Sequence, residues 1–305
     1  MAAKVLITGA SGLIGKQLVD MLTASGYMVN TLGRTKTDAG NGAQHFAWDI
    51  QKGEMDPKAL DGVDTIIHLA GAGVAEKRWT DDRKKEIIDS RVKSADLLFN
   101  FLKTNNHKVK TFISASAVGY YGDGGDEVIT EDHLPGTDFL AQVCVAWEQA
   151  AQQFTQLGIR EVRFRIGIVL APDGGALPEL TKTLPVGVAA YFAKNNLYYP
   201  WVHVDDVPGM MALAVENEKM EGAYNATGNK PLLMKELMEE IVKASGKNAL
   251  VVPAPPFAIK LAMGEMSSML LNSQRCSNRR IADAGYQFRF RTINAALKHI
   301  FKSKH

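Results

Sequence analysis

Residues 7–15 read ITGASGLIG, with Gly9, Gly12 and Gly15 spaced three apart between an apolar run and a helix-like stretch. The run KVLIT (4–8) has the apolar, β-branched character of a buried strand, and LIGKQLVDMLTAS (13–25) carries the apolar period of a helix. A strand feeding a helix through so short a glycine loop constrains the fold more than any other feature of the chain. Gly9 permits the tight turn, Gly12 lets the backbone approach an oxyanion, and Gly15 lets the helix close on the strand. The N–H groups from Ser11 to Leu13 and Ile14 then sit at a helix N-terminus, which favours a phosphate. With a second strand following at YMVNTLG (27–33), the loop fits the pyrophosphate of a dinucleotide.

The end of that second strand bears on which dinucleotide. A carboxylate there would accept from a free ribose 2′-hydroxyl, the NAD pattern. The chain reads LGRTKT instead, placing Arg34 at that position with no carboxylate before Asp38. A guanidinium pairs with a 2′-phosphate, so NADP(H) is favoured over NAD(H), the plain alternative being a solvated surface arginine. Asp49 follows the third strand, QHFAW (44–48), where it either accepts from the adenine amino group or caps the next turn. The fourth strand, VDTIIHLA (63–70), runs into HLAGAG, so the backbone of Leu69, Ala70 and Gly71 is expected to lie along the cofactor.

The rest of the chain keeps this alternation. A helical stretch spans about Thr80 to Lys103, KTFISAS forms a strand, DFLAQVCVAWEQAAQQF (138–154) a helix, and EVRFRIGIVL (161–170) one further strand. Alternating strands and helices predict an α/β, Rossmann-type doubly wound parallel sheet. Beyond Leu170 the rhythm loosens into Pro- and Gly-rich segments and a Met-rich helix, KLAMGEMSSMLL (260–271), read as packing. The expected division is a dinucleotide-binding core over 1–170, with returning elements at about 200–230. A smaller interleaved C-terminal α/β lobe then covers 171–199 and 231–305.

Bulk properties exclude several classes. Basic and acidic side chains number 35 and 33, so no nucleic-acid footprint or polybasic membrane tether is indicated. Two cysteines, Cys144 and Cys276, make no disulfide framework and fit a reducing cytoplasm. The N-terminal apolar run is too short for a signal-peptide core, and no apolar stretch is long enough to span a bilayer. No cluster of His, Cys and carboxylates has metal-ligand spacing. A small-molecule substrate is the expected partner, with neither nucleic acid nor membrane, and a homodimer is allowed.

Taken together, these motifs resemble the extended, epimerase-like branch of the short-chain dehydrogenase/reductase superfamily. TGASGLIG matches its T-G-x-x-G-x-x-G, SASAVGYYG is similar to its S-S-x-x-V-Y-G with one extra residue, and WVHVDDV (201–207) is similar to its V-H-V-x-D. Over nearly the whole chain, including KRWTDDRKKEIIDSRV and the C-terminal PPFAIKLAMGEMSSMLL…SQR, it resembles the NAD(P)-dependent epimerase family. That family is also labelled nucleoside-diphosphate sugar epimerase and carries a C-terminal domain of unknown function. The resemblance implies a Tyr general base four residues before a Lys that holds the nicotinamide ribose. It also implies a serine, matched by Ser116, that hydrogen-bonds the reacting oxygen.

Here the chain departs from the pattern. With Glu148 aligned on the Glu that often follows the motif, the Tyr and Lys positions fall on Leu140 and Cys144, and no Tyr-x-x-x-Lys occurs between Tyr121 and Phe154. Leu140, Cys144, Trp147 and Ala151 recur at helical spacing, as an apolar face packed on the sheet would. Ser90 stands where the branch often has Asn, and its neighbour Arg91 either reaches cofactor or substrate or is solvated. The remaining candidates for acid–base work are Ser116, Tyr120 and Tyr121, although both rings fit equally well as packing. Trp201 and His203 are candidate substrate contacts, His203 also fitting a structural role, and Asp205 and Asp206 are candidate caps of the following helix.

The expected function is therefore an NADP(H)-binding oxidoreductase acting on a small polar substrate with a non-standard active site. The alternatives are a nucleotide-sugar epimerase or dehydratase, and a cofactor-binding sensor with little chemistry. Some members of the family carry a cell-division-inhibitor label, which leans toward the last.

Overall fold

The computed structural model describes residues 3–34 and 42–302. The chain divides into two compact units, one of residues 1–116, 143–164 and 208–223, the other of residues 117–142, 165–207 and 224–305.

The first unit opens with β1 (Lys4–Thr8), α1 (Leu13–Ala24), β2 (Met28–Gly33), β3 (Gln44–Asp49) and the short β4 (Glu54–Met55). There follow β5 (Thr65–His68), the 24-residue α2 (Asp81–Thr104), β6 (Thr111–Ala117) and α3 (Phe139–Gln152). In the eight-stranded sheet the order is Gly222–Ala226, Arg160–Ile166, β6, β5, β1, β2, β3, β4. The pairs β6–β5, β5–β1, β1–β2 and β2–β3 are parallel, and only β3–β4 is antiparallel among those with defined register. This is the doubly wound α/β architecture that the strand–helix alternation predicts.

Strands this apolar are stable only when covered on both faces. Leu6, Ile66, Phe112 and Leu98 are fully buried in one core cluster, where Phe112 stacks on Phe154 with centroids 3.7 Å apart. The start of α2 is capped by Thr80, whose Oγ1 accepts the Arg83 N–H at 3.2 Å, while Asp81 and Asp82 favour the helix dipole.

The register matters for function. Thr8 pairs with His68 and His68 with Ser114, so the carboxyl ends of β1, β5 and β6 lie level. Gly9, Leu69–Gly71 and Ser116 all follow directly from that row, at the edge where such sheets bind ligands.

The second unit has its own core, with Leu170, Trp201, Met238, Leu297 and Ile300 buried among helices Met234–Ser245 and Ile293–Lys302. Its three-stranded sheet contains Ile168–Ala171 flanked by Gly174–Gly175 and Trp201–His203. The expected single strand over 161–170 is thus two. At Gly167 the ladder changes partner, Gly167 N–H donating to Ala226 O at 3.0 Å and Ile168 N–H to Pro200 O at 2.8 Å.

Candidate functional site

The glycine loop is shaped by contacts that leave no room for side chains. Gly9 has φ +70°, and a β-carbon there would lie 2.8 Å from the carbonyl of Leu69. A β-carbon on Gly15 would collide with the Gly9 carbonyl oxygen and come within 2.8 Å of Ala10 Cα. Gly12 is the N-cap of α1 and is extended (φ −77°, ψ 171°), with no capping side chain and no acidic residue in the first turn. Ser11, Gly12 and Leu13 are exposed. An exposed, uncapped helix start beside a cradle that a β-carbon would fill suits an anionic group, so these residues fit the pyrophosphate of a dinucleotide.

A buried polar row fixes this loop to the end of β5. Thr8 Oγ1 accepts the N–H groups of Leu69 and Ala70, each at 3.2 Å, and lies 2.8 Å from His68 Nδ1. With both acceptor directions filled, the Thr8 proton goes to Nδ1. Neutral His68 therefore carries its proton on Nε2, facing Ser94 Oγ on α2 at 3.0 Å. Complete burial holds this imidazole down to about 4. Because the unfolded chain takes up that proton near pH 6.5, stability falls as pH drops from 6.5 towards 4. We expect His68 to cost the fold about 2–3 kcal/mol between pH 6.5 and 4.5. Urea unfolding at both pH values checks this; His68→Gln should lack that share of the slope, and an equal slope in the variant overturns the assignment.

At the other end of the cradle, Arg34 is exposed after β2, within electrostatic reach of Glu86 on α2. Asp49 Oδ1 accepts the N–H groups of Gln51 and Lys52 at 3.0 and 3.1 Å, so its carboxylate closes the turn after β3.

At the end of β6, Ser116 is 2% exposed and donates from Oγ to Glu148 Oε1 on α3 at 2.7 Å. Arg163 bridges two buried carboxylates, its Nη1 3.4 Å from Glu148 Oε2 and its Nε 3.0 Å from Glu161 Oε1. Burial raises Glu161 to about 7, with Arg163 opposing and Glu148 reinforcing the shift. With its own proton donated to a carboxylate, a serine oxygen can accept a proton and pass one on.

Comparison with known proteins places the chain. A model of the NAD dependent epimerase/dehydratase family matches residues 5–227, and a domain of unknown function, DUF1731, matches residues 254–300. The chain belongs to this epimerase/dehydratase family. It is 34% identical to an epimerase family protein of Mycobacterium bovis over 97% of this chain and 96% of that one. It is 31% identical to one of Staphylococcus aureus, covering 97% and 98%. Among solved structures, the human epimerase family protein SDR39U1 with NADPH superposes with a TM-score of 0.88 at 26% identity, covering 98% and 99% of the two chains. A nucleoside-diphosphate sugar epimerase of Corynebacterium glutamicum gives a TM-score of 0.79 at 29% identity over 99% of this chain and 58% of that one. The fold is accordingly an NAD(P)-binding Rossmann fold.

Against the family pattern, α3 presents Cys144, Trp147 and Ala151 as buried residues and Leu140 as half-buried, an apolar face where the Tyr and Lys would stand. Tyr120 and Tyr121 belong to the second unit. The Tyr121 hydroxyl donates to Asn225 Oδ1 at 2.6 Å and accepts from Arg165 Nη1 at 2.9 Å. Burial pushes this phenol up, the reverse of what a general base at neutral pH needs. The ring of Tyr120 carries the Arg165 guanidinium 3.5 Å above its centroid.

Trp201 is 2% exposed, its indole N–H donating to Lys230 O at 2.8 Å. His203 is enclosed too, Nδ1 accepting the Asp205 N–H at 3.0 Å and Nε2 facing His299 Nδ1 at 3.2 Å, with Phe290 stacked on the ring. Ligand atoms of His203, Asp205 and His299 lie within 4.8 Å of one another, a cluster that sequence spacing conceals because His299 is 96 residues away. Its members are engaged with each other and with Arg289, which pairs with Asp205 at 3.2 Å. The neighbouring Asp206 accepts from Tyr286 and from the Arg289 N–H, each at 2.8 Å, so this carboxylate ties two segments rather than capping its helix.

The sequence alone does not mark Thr8, His68, Ser94 or Glu148 as residues of the site. The polar His in an otherwise apolar strand was the available signal for the first three. Among the described residues, no helix is long and apolar enough to cross a membrane.

Proposed function

We propose that the chain is an NADP(H)-dependent oxidoreductase acting on a small polar alcohol or carbonyl, with Ser116 and Glu148 handling the proton. The observation that carries this reading is the uncapped start of α1 on its glycine cradle, beside a β2 end that offers Arg34 and no carboxylate. A like-charged side chain would repel a 2′-phosphate there, whereas a guanidinium binds it in a bidentate manner. The similar human protein solved with NADPH supports the same choice.

When bound, the nicotinamide supplies hydride exchange with a substrate carbon. The chain's own part is the proton. A substrate hydroxyl hydrogen-bonds to Ser116 Oγ; as its proton moves to that oxygen, the serine proton passes to Glu148 Oε1, and the reverse transfer serves a carbonyl. Arg163 beside Glu148 keeps the carboxylate partnered while it is unprotonated. A second reading, epimerisation or dehydration of a nucleotide sugar, is favoured by the name of the similar Corynebacterium glutamicum protein.

Nicotinamide fluorescence titration tests the cofactor. NADPH should bind at least about tenfold more tightly than NADH, and Arg34→Ala should erase the difference, as loss of a charged hydrogen-bonding partner would. Equal affinities in the parent chain defeat the NADP(H) claim. In a carbonyl and alcohol screen read by NADPH absorbance, Ser116→Ala and Glu148→Gln should each lower turnover about 10²–10⁴-fold. Unchanged turnover in both removes them from the chemistry. Tight NADPH binding with no turnover of any carbonyl, alcohol or nucleotide sugar points to the sensor alternative.

A further inference from the structure

Among the described residues, Arg91 is a buried cation without a counter-ion. Its side chain is 8% exposed on α2, and among the described residues no carboxylate is paired with it. Nη1 donates to the carbonyl oxygens of Ile87 at 2.9 Å and Ala72 at 3.0 Å, while buried Nε has no hydrogen-bond partner. Burying an ionised guanidinium among neutral groups is costly, and an anionic or oxygen-rich ligand would offset that cost.

Its position identifies the ligand. The guanidinium carbon lies 3.0 Å from where a β-carbon on Gly71 would be, directly beyond the carboxyl end of β5. It also stands 4.8 Å over the Trp147 ring on α3 and within electrostatic reach of the Cys144 side chain. In a doubly wound sheet, a dinucleotide whose adenine half lies over the second strand carries its nicotinamide half across the strand ends on the other side of the glycine loop. Relative to β1, Arg34 is on the β2 side and Arg91 on the β5 side. Even after burial lowers it, to about 10, the guanidinium stays charged at neutral pH.

We propose that Arg91 binds oxygens of the nicotinamide half of the dinucleotide, supplying from α2 the positive charge that Cys144 on α3 does not. This rests on the dinucleotide reading above.

The test compares two ligands on the purified full-length chain. NADPH carries both halves; 2′,5′-ADP carries the adenine half alone. Arg91→Met should weaken NADPH about tenfold or more, the usual effect of losing a charged hydrogen bond, and leave 2′,5′-ADP within about twofold. Arg91→Lys, which keeps the charge and the fold but not the planar fork, should fall between the parent chain and Arg91→Met for NADPH. If both variants bind NADPH as the parent does, or if the two ligands weaken together, Arg91 only braces α2 against the β5 loop and the proposal fails. A parent chain that binds neither ligand overturns the dinucleotide reading, and this proposal with it. Parent binding of both with no selective loss overturns this proposal alone.

Discussion

Replacing Gly15 with alanine should cost the first unit about 2–3 kcal/mol of stability and weaken NADPH at least about tenfold. Helix propensity argues the other way, since alanine is worth about 1 kcal/mol over glycine inside a helix. The collision decides between them. A β-carbon at residue 15 meets the Gly9 carbonyl oxygen and Ala10 Cα, both backbone atoms of a loop held in turn by the Leu69 carbonyl. Backbone cannot swing aside as a long side chain can, so α1 must slide away from the loop. That shift moves the N–H groups expected to meet the pyrophosphate, and affinity falls with them. Thermal melting and NADPH titration of Gly15→Ala check the two effects separately; an unshifted melting point and parent-like affinity would mean the helix start has slack that these distances deny.

How far the sequence reveals this molecule follows the range of its interactions. The cradle is legible because Gly9, Gly12, Gly15 and the first turn of α1 interact within a single strand–loop–helix segment. Asp49 is legible for the same reason, its turn lying two and three residues on. The Thr8–His68 contact spans 60 residues, and nothing local to HLAG announces that its histidine organises the loop. Nor does SASAVGYYG disclose that Ser116 faces a carboxylate 32 residues later, or that the Tyr121 hydroxyl is engaged by groups 44 and 104 residues away. A hydroxyl in a motif advertises chemistry; only its partners show which hydroxyls have a proton to exchange. The break at Gly167 is hidden by a similar cause, because VRFRIGIVL is uniformly strand-like and the change of partner is set by Pro200 and Ala226.

The second unit should prove most sensitive at Arg165, where replacement by methionine is expected to cost about 3–5 kcal/mol. The side chain is 4% exposed, and its Nη1 donates to the Tyr121 hydroxyl and the Glu131 carbonyl, both at 2.9 Å. Its guanidinium also covers the Tyr120 ring at 3.5 Å, so one residue ties the 117–142 segment to the start of the 165–207 segment. Methionine matches much of the volume but leaves the Tyr121 hydroxyl and the Glu131 carbonyl oxygen without this donor. Lysine should recover only part of the loss, since a point charge cannot reproduce two hydrogen bonds and the planar stack together. Tyr121→Phe removes a single hydroxyl from the same network and should cost about 1–3 kcal/mol. Denaturant unfolding of the single and double variants gives the coupling between residues 121 and 165, expected to be about 0.5–3 kcal/mol. Strict additivity would show that Tyr121 is held by packing alone, which would leave its hydroxyl open to a different role.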